Sequence, residues 1–77
     1  MLKEHDRVIL TTDLSAERLR SHDVGTIVHV HQQGEAFEVE FLALDGHMVA
    51  VATVTASQLR PVSTRDITHA RAIELPA

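Results

Sequence analysis

The chain has 77 residues, a net charge of −4 and no cysteine, and 44% of its residues are hydrophobic. This length predicts one domain over residues 1–77 with a small core, and the absent thiols exclude disulfides and thiolate zinc sites as its supports. Phe37 and Phe41 are the only Phe, Tyr or Trp residues, which excludes an aromatic groove for proline-rich peptides and an aromatic platform for single-stranded nucleic acid.

Short strand-like runs follow one another along the first half of the chain. Residues 7–11 predict a first strand and residues 24–31 a second. Residues 12–23 between them are too long for a hairpin turn and predict a folded-back loop with a helical turn near Ser15. Residues 36–41 alternate strictly between apolar and polar side chains, which predicts a third strand with one buried face.

The second and third predicted strands fit together as a hairpin about a turn at residues 32–35. Symmetrical pairing about this turn gives one apolar face and one polar face. The predicted pairs are Val28 with Val39, Val30 with Phe37 and Thr26 with Phe41, and the polar face holds His29, His31, Glu38 and Glu40.

A second hairpin is predicted at Asp45-Gly46, the dipeptide favoured in two-residue turns, with residues 47–54 as the fourth strand. The pairs counted outward from this turn are Phe41 with Ala50 and Val39 with Ala52. Large side chains therefore face small ones, as a tightly curved barrel requires.

The remaining residues predict a helical turn over 55–59, a brief edge strand over 60–62 and a helical tail over 63–77. Ser63 is a suitable cap for the tail helix. Its apolar stripe consists of Ile67, Ala70 and Ile73.

The order of these elements is typical of one fold class. A strand, a long loop, three meandering strands, a helical turn and a short strand follow one another. This order predicts an all-β, SH3-like five-stranded small barrel over residues 5–62, with a long loop after the first strand and a short C-terminal helix.

No catalytic constellation is visible in the sequence. The four serines lie at turn or cap positions without an activating base beside them, and the three glycines are too far apart to cradle a phosphate. The chain is therefore predicted not to be an enzyme, and we expect no cofactor.

The six histidines raise the question of a metal site. His29 and His31 lie on one face of the second predicted strand with Glu38 as a cross-strand neighbour, so these three residues are weak candidates for binding zinc. The face is open and offers no fourth ligand, which favours a solvated face with a His–Glu pair. No metal site is predicted.

Aliphatic side chains are also predicted on the face opposite the core, around Glu40. Such a cluster needs a cover, which either the tail helix or another protein subunit would supply. The residues predicted to contact a partner are Ile27, Glu38, Glu40, Leu42, Val49 and Val51.

The negative net charge suits a basic protein partner and opposes general binding to phosphate backbones. The acidic candidates are Glu35, Glu38, Glu40 and Asp45 near the hairpins, and Asp13, Glu17 and Asp23 on the long loop. Residues 6–8 and 24–28 are similar to the KOW-type pattern of ribosomal and transcription proteins. Without a basic patch, however, nucleic-acid binding is the weaker alternative.

The sequence predicts a cytoplasmic protein that does not bind membranes. No apolar stretch reaches the roughly 18 residues that a bilayer-spanning helix needs. The first five residues lack the basic and apolar regions of a signal peptide. The absence of cysteine is consistent with a reducing compartment.

Five segments of the chain form a set that is moderately specific as a whole: Glu4–Val8, Asp23–Val30, Gly34–Phe41, Leu44–Gly46 and Ser57–Val62. This set, over roughly residues 3–62, resembles a family of short bacterial proteins catalogued as a domain of unknown function, number 4926. The resemblance implies an SH3-like barrel with no assigned activity. It also implies an antitoxin or immunity role, because such genes look like companions of small toxin-like or nuclease-like genes.

The leading hypothesis is a non-catalytic protein-binding module, with neutralisation of a basic partner protein as one form of its action. A homo-oligomeric structural or accessory subunit, for example a homodimer joined through the outer aliphatic residues and the tail, is the first alternative. A KOW-like nucleic-acid-binding barrel is the second.

Overall fold

The computed structural model describes residues 2–73, which contain five antiparallel strands in one sheet. The strands are β1 (Arg7–Leu10), β2 (Val24–His31), β3 (Ala36–Leu42), β4 (Met48–Thr55) and β5 (Leu59–Pro61). Their order across the sheet is β4-β3-β2-β1-β5. The all-β prediction with five strands is confirmed, but the sheet is open, with β4 and β5 at its two edges.

The connections contain three short 3-10 turns, at Ser15–Glu17, Gln32–Gly34 and Ala56–Gln58. The first lies in the long loop, which folds back on itself through backbone hydrogen bonds between Leu14 and Leu19. Because Leu19 is buried in the core, this loop is anchored to the sheet. The loop and both predicted helical turns are confirmed.

A β-bulge in β2 changes the predicted pairing with β3. Val30 pairs with Phe37 as predicted, but Ile27 pairs with Val39, and the register shifts between Ile27 and His29. The predicted pairs of Val28 with Val39 and of Thr26 with Phe41 are therefore wrong. One extra residue, Val28, is inserted opposite β3, and a sequence with apolar residues at three of the positions 27–30 does not reveal where such an insertion falls.

The hairpin of β3 and β4 has the predicted register, but its turn is longer than predicted and a bulge compensates for the difference. Phe41 pairs with Ala50 and Val39 with Ala52, which confirms both predicted pairs. The turn, however, has three residues, because the Gly46 N–H donates to the Ala43 carbonyl and the Ala43 N–H donates to the His47 carbonyl. A bulge next to Phe41 absorbs the additional residue, so the pairs beyond it are unchanged.

The core lies on one face of the sheet, under the long loop. Its buried members are Val8, Leu10, Leu19, Ile27, Phe37, Val39, Phe41, Ala52, Val54 and Leu59. Val30 and Ala50, two further predicted core residues, are half-buried against this cluster. Val28, also predicted to be in the core, is 43% exposed, because the bulge turns it away from the cluster.

Residues 63–73 are not helical, so the predicted C-terminal helix is wrong over this range, and residues 74–77 lie outside the described residues. A single turn forms where the Asp66 N–H donates to the Ser63 carbonyl at 3.2 Å. The segment then continues without regular structure, with Ile67 92% exposed. A short helix that buries no apolar stripe is only marginally stable in water, which explains the difference.

Candidate functional site

The face of the sheet opposite the core, here called the outer face, holds most of the residues predicted to bind a partner. On the three strands β2, β3 and β4 its members include Thr26, Val28, His29, His31, Glu38, Glu40, Leu42, Val51 and Thr53. Val28 belongs to this set because Ile27 and Val30 on either side both turn towards the core, so the two residues between them point outward.

Two predicted partner-binding residues are not available at this face. Ile27 is fully buried, and its predicted place on the outer face is wrong because the bulge puts it opposite Val39 in the core. Val49 is half-buried and packs against the core cluster. Leu42 and Val51 are on the outer face as predicted, 51% and 45% exposed. Sequence reasoning missed Val28, which takes the place assigned to Ile27.

One end of the outer face is a hydrogen-bonded polar cluster centred on Glu38. The Thr53 hydroxyl and His31 Nε2 both donate to Glu38 Oε2, each at 2.7 Å. The hydrogen bond from Thr53, followed by that from His31, lowers the pKa of the Glu38 carboxyl below its usual range. The rings of His31 and His29 meet edge to face, with centroids 4.6 Å apart. This carboxylate is therefore already satisfied within the chain.

The weak metal candidates are only partly brought together. His31 and Glu38 are in direct contact, whereas His29 Nδ1 lies 3.9 Å from a carboxylate oxygen of Glu4. Within residues 2–73, no group of three His, Cys, Asp or Glu side chains is arranged to hold a metal ion. The arrangement is that of a His–Glu pair stabilised by a threonine.

Glu40 lies at the centre of the outer face and has no partner among residues 2–73. It is half-buried and accepts no hydrogen bond or ion pair from the residues that the structure describes. The other four half-buried carboxylates all have one: Asp6 binds Lys3, Asp23 binds Arg71, Glu38 binds His31 and Thr53, and Asp66 binds Arg60. Glu40 is thus the exception among these five carboxylates.

The neighbours of Glu40 across the sheet do not compensate its charge. Glu40 pairs with Thr26 of β2 on one side and with Val51 of β4 on the other. Arg7 of β1 lies in the same cross-strand row, but it pairs with Thr26 from the side of β2 that is away from Glu40. Two strand spacings of about 4.8 Å separate Arg7 from Glu40, and no ion pair forms between them.

Exposed aliphatic side chains surround this carboxylate. Val51 stands beside it on β4, Leu42 follows two residues later on β3, and Val28 lies diagonally across on β2. Leu44 and Met48 extend the apolar surface to the hairpin tip. A lone carboxylate within an apolar rim can receive the charged end of an Arg or Lys side chain while its methylene stem packs on the aliphatic groups.

The other acidic candidates are scattered. Glu35 and Asp45 are exposed on the two hairpin turns, where Asp45 accepts hydrogen bonds from the His47 backbone and ring. Asp13 accepts from the Ser21 N–H, and Glu17 is exposed in the first 3-10 turn. These residues do not form one surface with Glu40.

Residues 63–73, here called the strap, are attached on either side of β1, and we infer that they pass over it on the outer face. Ile9 is buried but lies outside the core cluster, so its cover comes from the outer side. The strap is attached on both sides of Ile9 by the ion pairs Arg60–Asp66, 2.8 Å, and Asp23–Arg71, 2.6 Å. Arg60 pairs directly with Ile9, and Asp23 adjoins its other partner.

We expect the Arg71 end of the strap to be released in acid. Burial raises the pKa of the Asp23 carboxyl, but hydrogen bonds from Arg71 and from the Arg20 N–H outweigh it and bring the pKa below 3.8. Since the folded pKa is depressed, this stabilisation is present above pH 3.8 and is lost as the pH falls through the folded pKa.

Replacement of Arg71 by glutamine should therefore lower the free energy of unfolding by about 1 kcal/mol at pH 7, and by progressively less below pH 4. Urea unfolding at several pH values measures this difference, with Arg65→Gln at an exposed position of the strap as the control. A difference that stays constant down to pH 2 would contradict the assignment.

In the described part of the chain, no helix has the length and hydrophobicity needed to cross a membrane. The fold and the outer face define a small all-β protein. It is an open antiparallel sheet with the core on one face and with the strap passing over part of the other face. The family model described as Domain of unknown function (DUF4926) matches residues 4–61, so the chain belongs to this family. No curated protein and no solved structure matches the chain.

Proposed function

We propose that this protein is a non-catalytic protein-binding module on an SH3-like fold, and that its outer face receives a basic surface of another protein. The strand order β4-β3-β2-β1-β5, with the long loop between β1 and β2, supports the SH3-like assignment. An antitoxin-type or immunity-type action, in which the bound surface is the active surface of the partner, is one form this binding would take.

The observation that carries the proposal is the half-buried carboxylate of Glu40, which has no partner in the part of the chain that the structure describes. A charge in such a position is less screened by salt than one in open solvent, so it attracts a cation more strongly. Its chain-internal alternatives are absent from the described residues, since Arg7 lies two strands away. The vacant partner position is therefore best filled by an Arg or Lys from outside the chain.

The apolar rim supplies the second part of the contact. Val28, Leu42 and Val51 are each between 43% and 51% exposed, and the strap leaves this half of the outer face open. Burial of these side chains by a partner would contribute about 25 cal/mol for each Å² of apolar area removed from water. The net charge of −4 adds a longer-range attraction for a basic surface.

The substitution Glu40→Gln tests this directly, because it preserves the size and removes the charge. A basic partner, isolated with the immobilised wild-type protein and then purified, should bind the variant at least about tenfold more weakly, the effect of losing a charge-assisted hydrogen bond. Isothermal titration calorimetry at two salt concentrations measures the affinity and shows the smaller salt dependence expected of the variant.

Glu35→Gln is the matched control, since Glu35 is an exposed glutamate on a hairpin turn, away from the outer face. Its affinity should stay within about twofold of the wild type. An equal loss of affinity in both variants would mean that only the net charge of the protein matters and not the position of Glu40. Unchanged binding by the Glu40 variant would refute the proposed site.

A further inference from the structure

The two edges of the sheet are built differently. The edge strand β5 has three residues and contains Arg60 and Pro61, and the strap passes beside it through the Arg60–Asp66 ion pair. A short edge strand with a charge, a proline and a covering segment is protected against pairing with another chain. This edge is closed to strand addition.

The opposite edge has few such protections. The strand β4 has eight residues, Met48–Thr55, and none of them is charged or a proline. Its only ladder is with β3, and no backbone hydrogen bond joins residues 48–54 to another segment of the described chain. In a strand paired on one side, alternate residues point their N–H and C=O groups outward. These groups form an unused row along the edge.

We propose that β4 pairs with β4 of a second copy of this chain, antiparallel and about a two-fold axis, to give a continuous ten-stranded sheet. A strand without charges can pair with its own copy in any register without bringing like charges close together. The second copy also presents the same unpaired backbone row, so each edge satisfies the other.

The bulge beside Phe41 fixes where the pairing can lie. It disturbs the start of β4 and leaves Ala50–Thr55 regular. With the two-fold axis perpendicular to the sheet, the outer faces of both copies lie on the same side. This requires the pairing to be centred on one residue, which then lies opposite its own copy. Centring on Ala52 pairs the five residues Ala50–Val54, with Val51 opposite Thr53 of the second copy.

The arrangement places two copies of the partner-binding surface side by side and facing the same way. The dimer does not depend on that binding function, and either can be present without the other. Since Glu40 is on β3, the edge contact leaves its carboxylate accessible.

The test compares two valines with nearly equal exposure on the same face, Val51 on the β4 edge and Val28 on β2, 45% and 43% exposed. In the dimer, Val51→Glu places two like charges at diagonal positions across the axis, about 7–8 Å apart. It should weaken dimerisation about tenfold or more, whereas Val28→Glu should leave it within about twofold. Sedimentation equilibrium from 1 to about 500 µM measures both, and circular dichroism verifies folding.

The wild type should show a mass of twice 8.5 kDa at high concentration. A wild type that remains monomeric throughout would overturn the proposal, and so would a dimer disrupted equally by both variants, which would indicate contact through the outer face. If Val51→Glu does not fold, amide exchange of the wild type decides the matter. Protection of alternate β4 amides should then increase with protein concentration, and protection that is independent of concentration would refute the pairing.

Discussion

Replacing Gly25 by alanine should destabilise the protein by about 3 kcal/mol, the cost of overpacking a closely packed position. A Cβ added there would lie 2.6 Å from Cγ1 of Val39 and 2.8 Å from Cε2 of Phe41, both in the core. It would also lie 3.0 Å from the Glu40 carbonyl oxygen, part of the β3 backbone, which cannot rotate away. The sheet would have to open between β2 and β3.

Urea unfolding followed by circular dichroism measures this loss, and Gly46→Ala is the control. Gly46 has nothing within 4 Å of an added Cβ, but its φ of +93° is unfavourable for alanine. That substitution should therefore cost only about 1 kcal/mol. If the Gly25→Ala variant had the same midpoint of urea unfolding as the wild type, the close approach of β2 to β3 would be contradicted.

The substitutions Ile27→Ala and Val28→Ala should have very different effects, although the residues are adjacent. Ile27 is fully buried in the core, so its truncation should cost about 2–4 kcal/mol. Val28 is 43% exposed at the bulge, and its truncation should cost less than about 0.5 kcal/mol. The midpoint and slope of urea unfolding provide both values.

Each of these two substitutions is the control for the other, because both remove an aliphatic side chain from the same strand. The opposite order of effects would mean that β2 pairs without the bulge, with Val28 inside. Equal and small effects would mean that neither side chain is in the core.

The fold was predictable where turn chemistry and alternation agree. Strict alternation over 36–41 and the Asp45-Gly46 signal identified the buried face of β3 and its pairs with Ala50 and Ala52. The bulge in β2 was not predictable, because Ile27, Val28 and Val30 offer the core a similar valine or isoleucine in either register. Tertiary packing decides between such alternatives, and periodicity does not.

The prediction of a C-terminal helix was wrong for a different physical reason. The spacing of Ile67, Ala70 and Ile73 is helical, but a stripe of three residues does not pay for helix nucleation unless it is buried. Instead, the ion pairs of Asp66 with Arg60 and of Arg71 with Asp23 attach the segment on either side of β1. The pair of Asp23 with Arg71 joins residues 48 apart, and such a long-range pair leaves no local pattern in the sequence.

The candidate site was half predictable. The sequence placed Glu38, Glu40, Leu42 and Val51 on one face, and the structure has them there. Only the three-dimensional structure distinguishes the two glutamates, because Glu38 is satisfied by Thr53 and His31 while Glu40 has no partner among the described residues. That distinction depends on which side chains reach across the strands.

The composition of the outer face depends on the bulge, and nuclear Overhauser contacts across β2 and β3 test it most directly. The structure predicts cross-strand contacts between Ile27 and Val39 and between His29 and Glu38, with Val28 unpaired and facing solvent. Contacts between Val28 and Val39, with Ile27 in solvent, would contradict it.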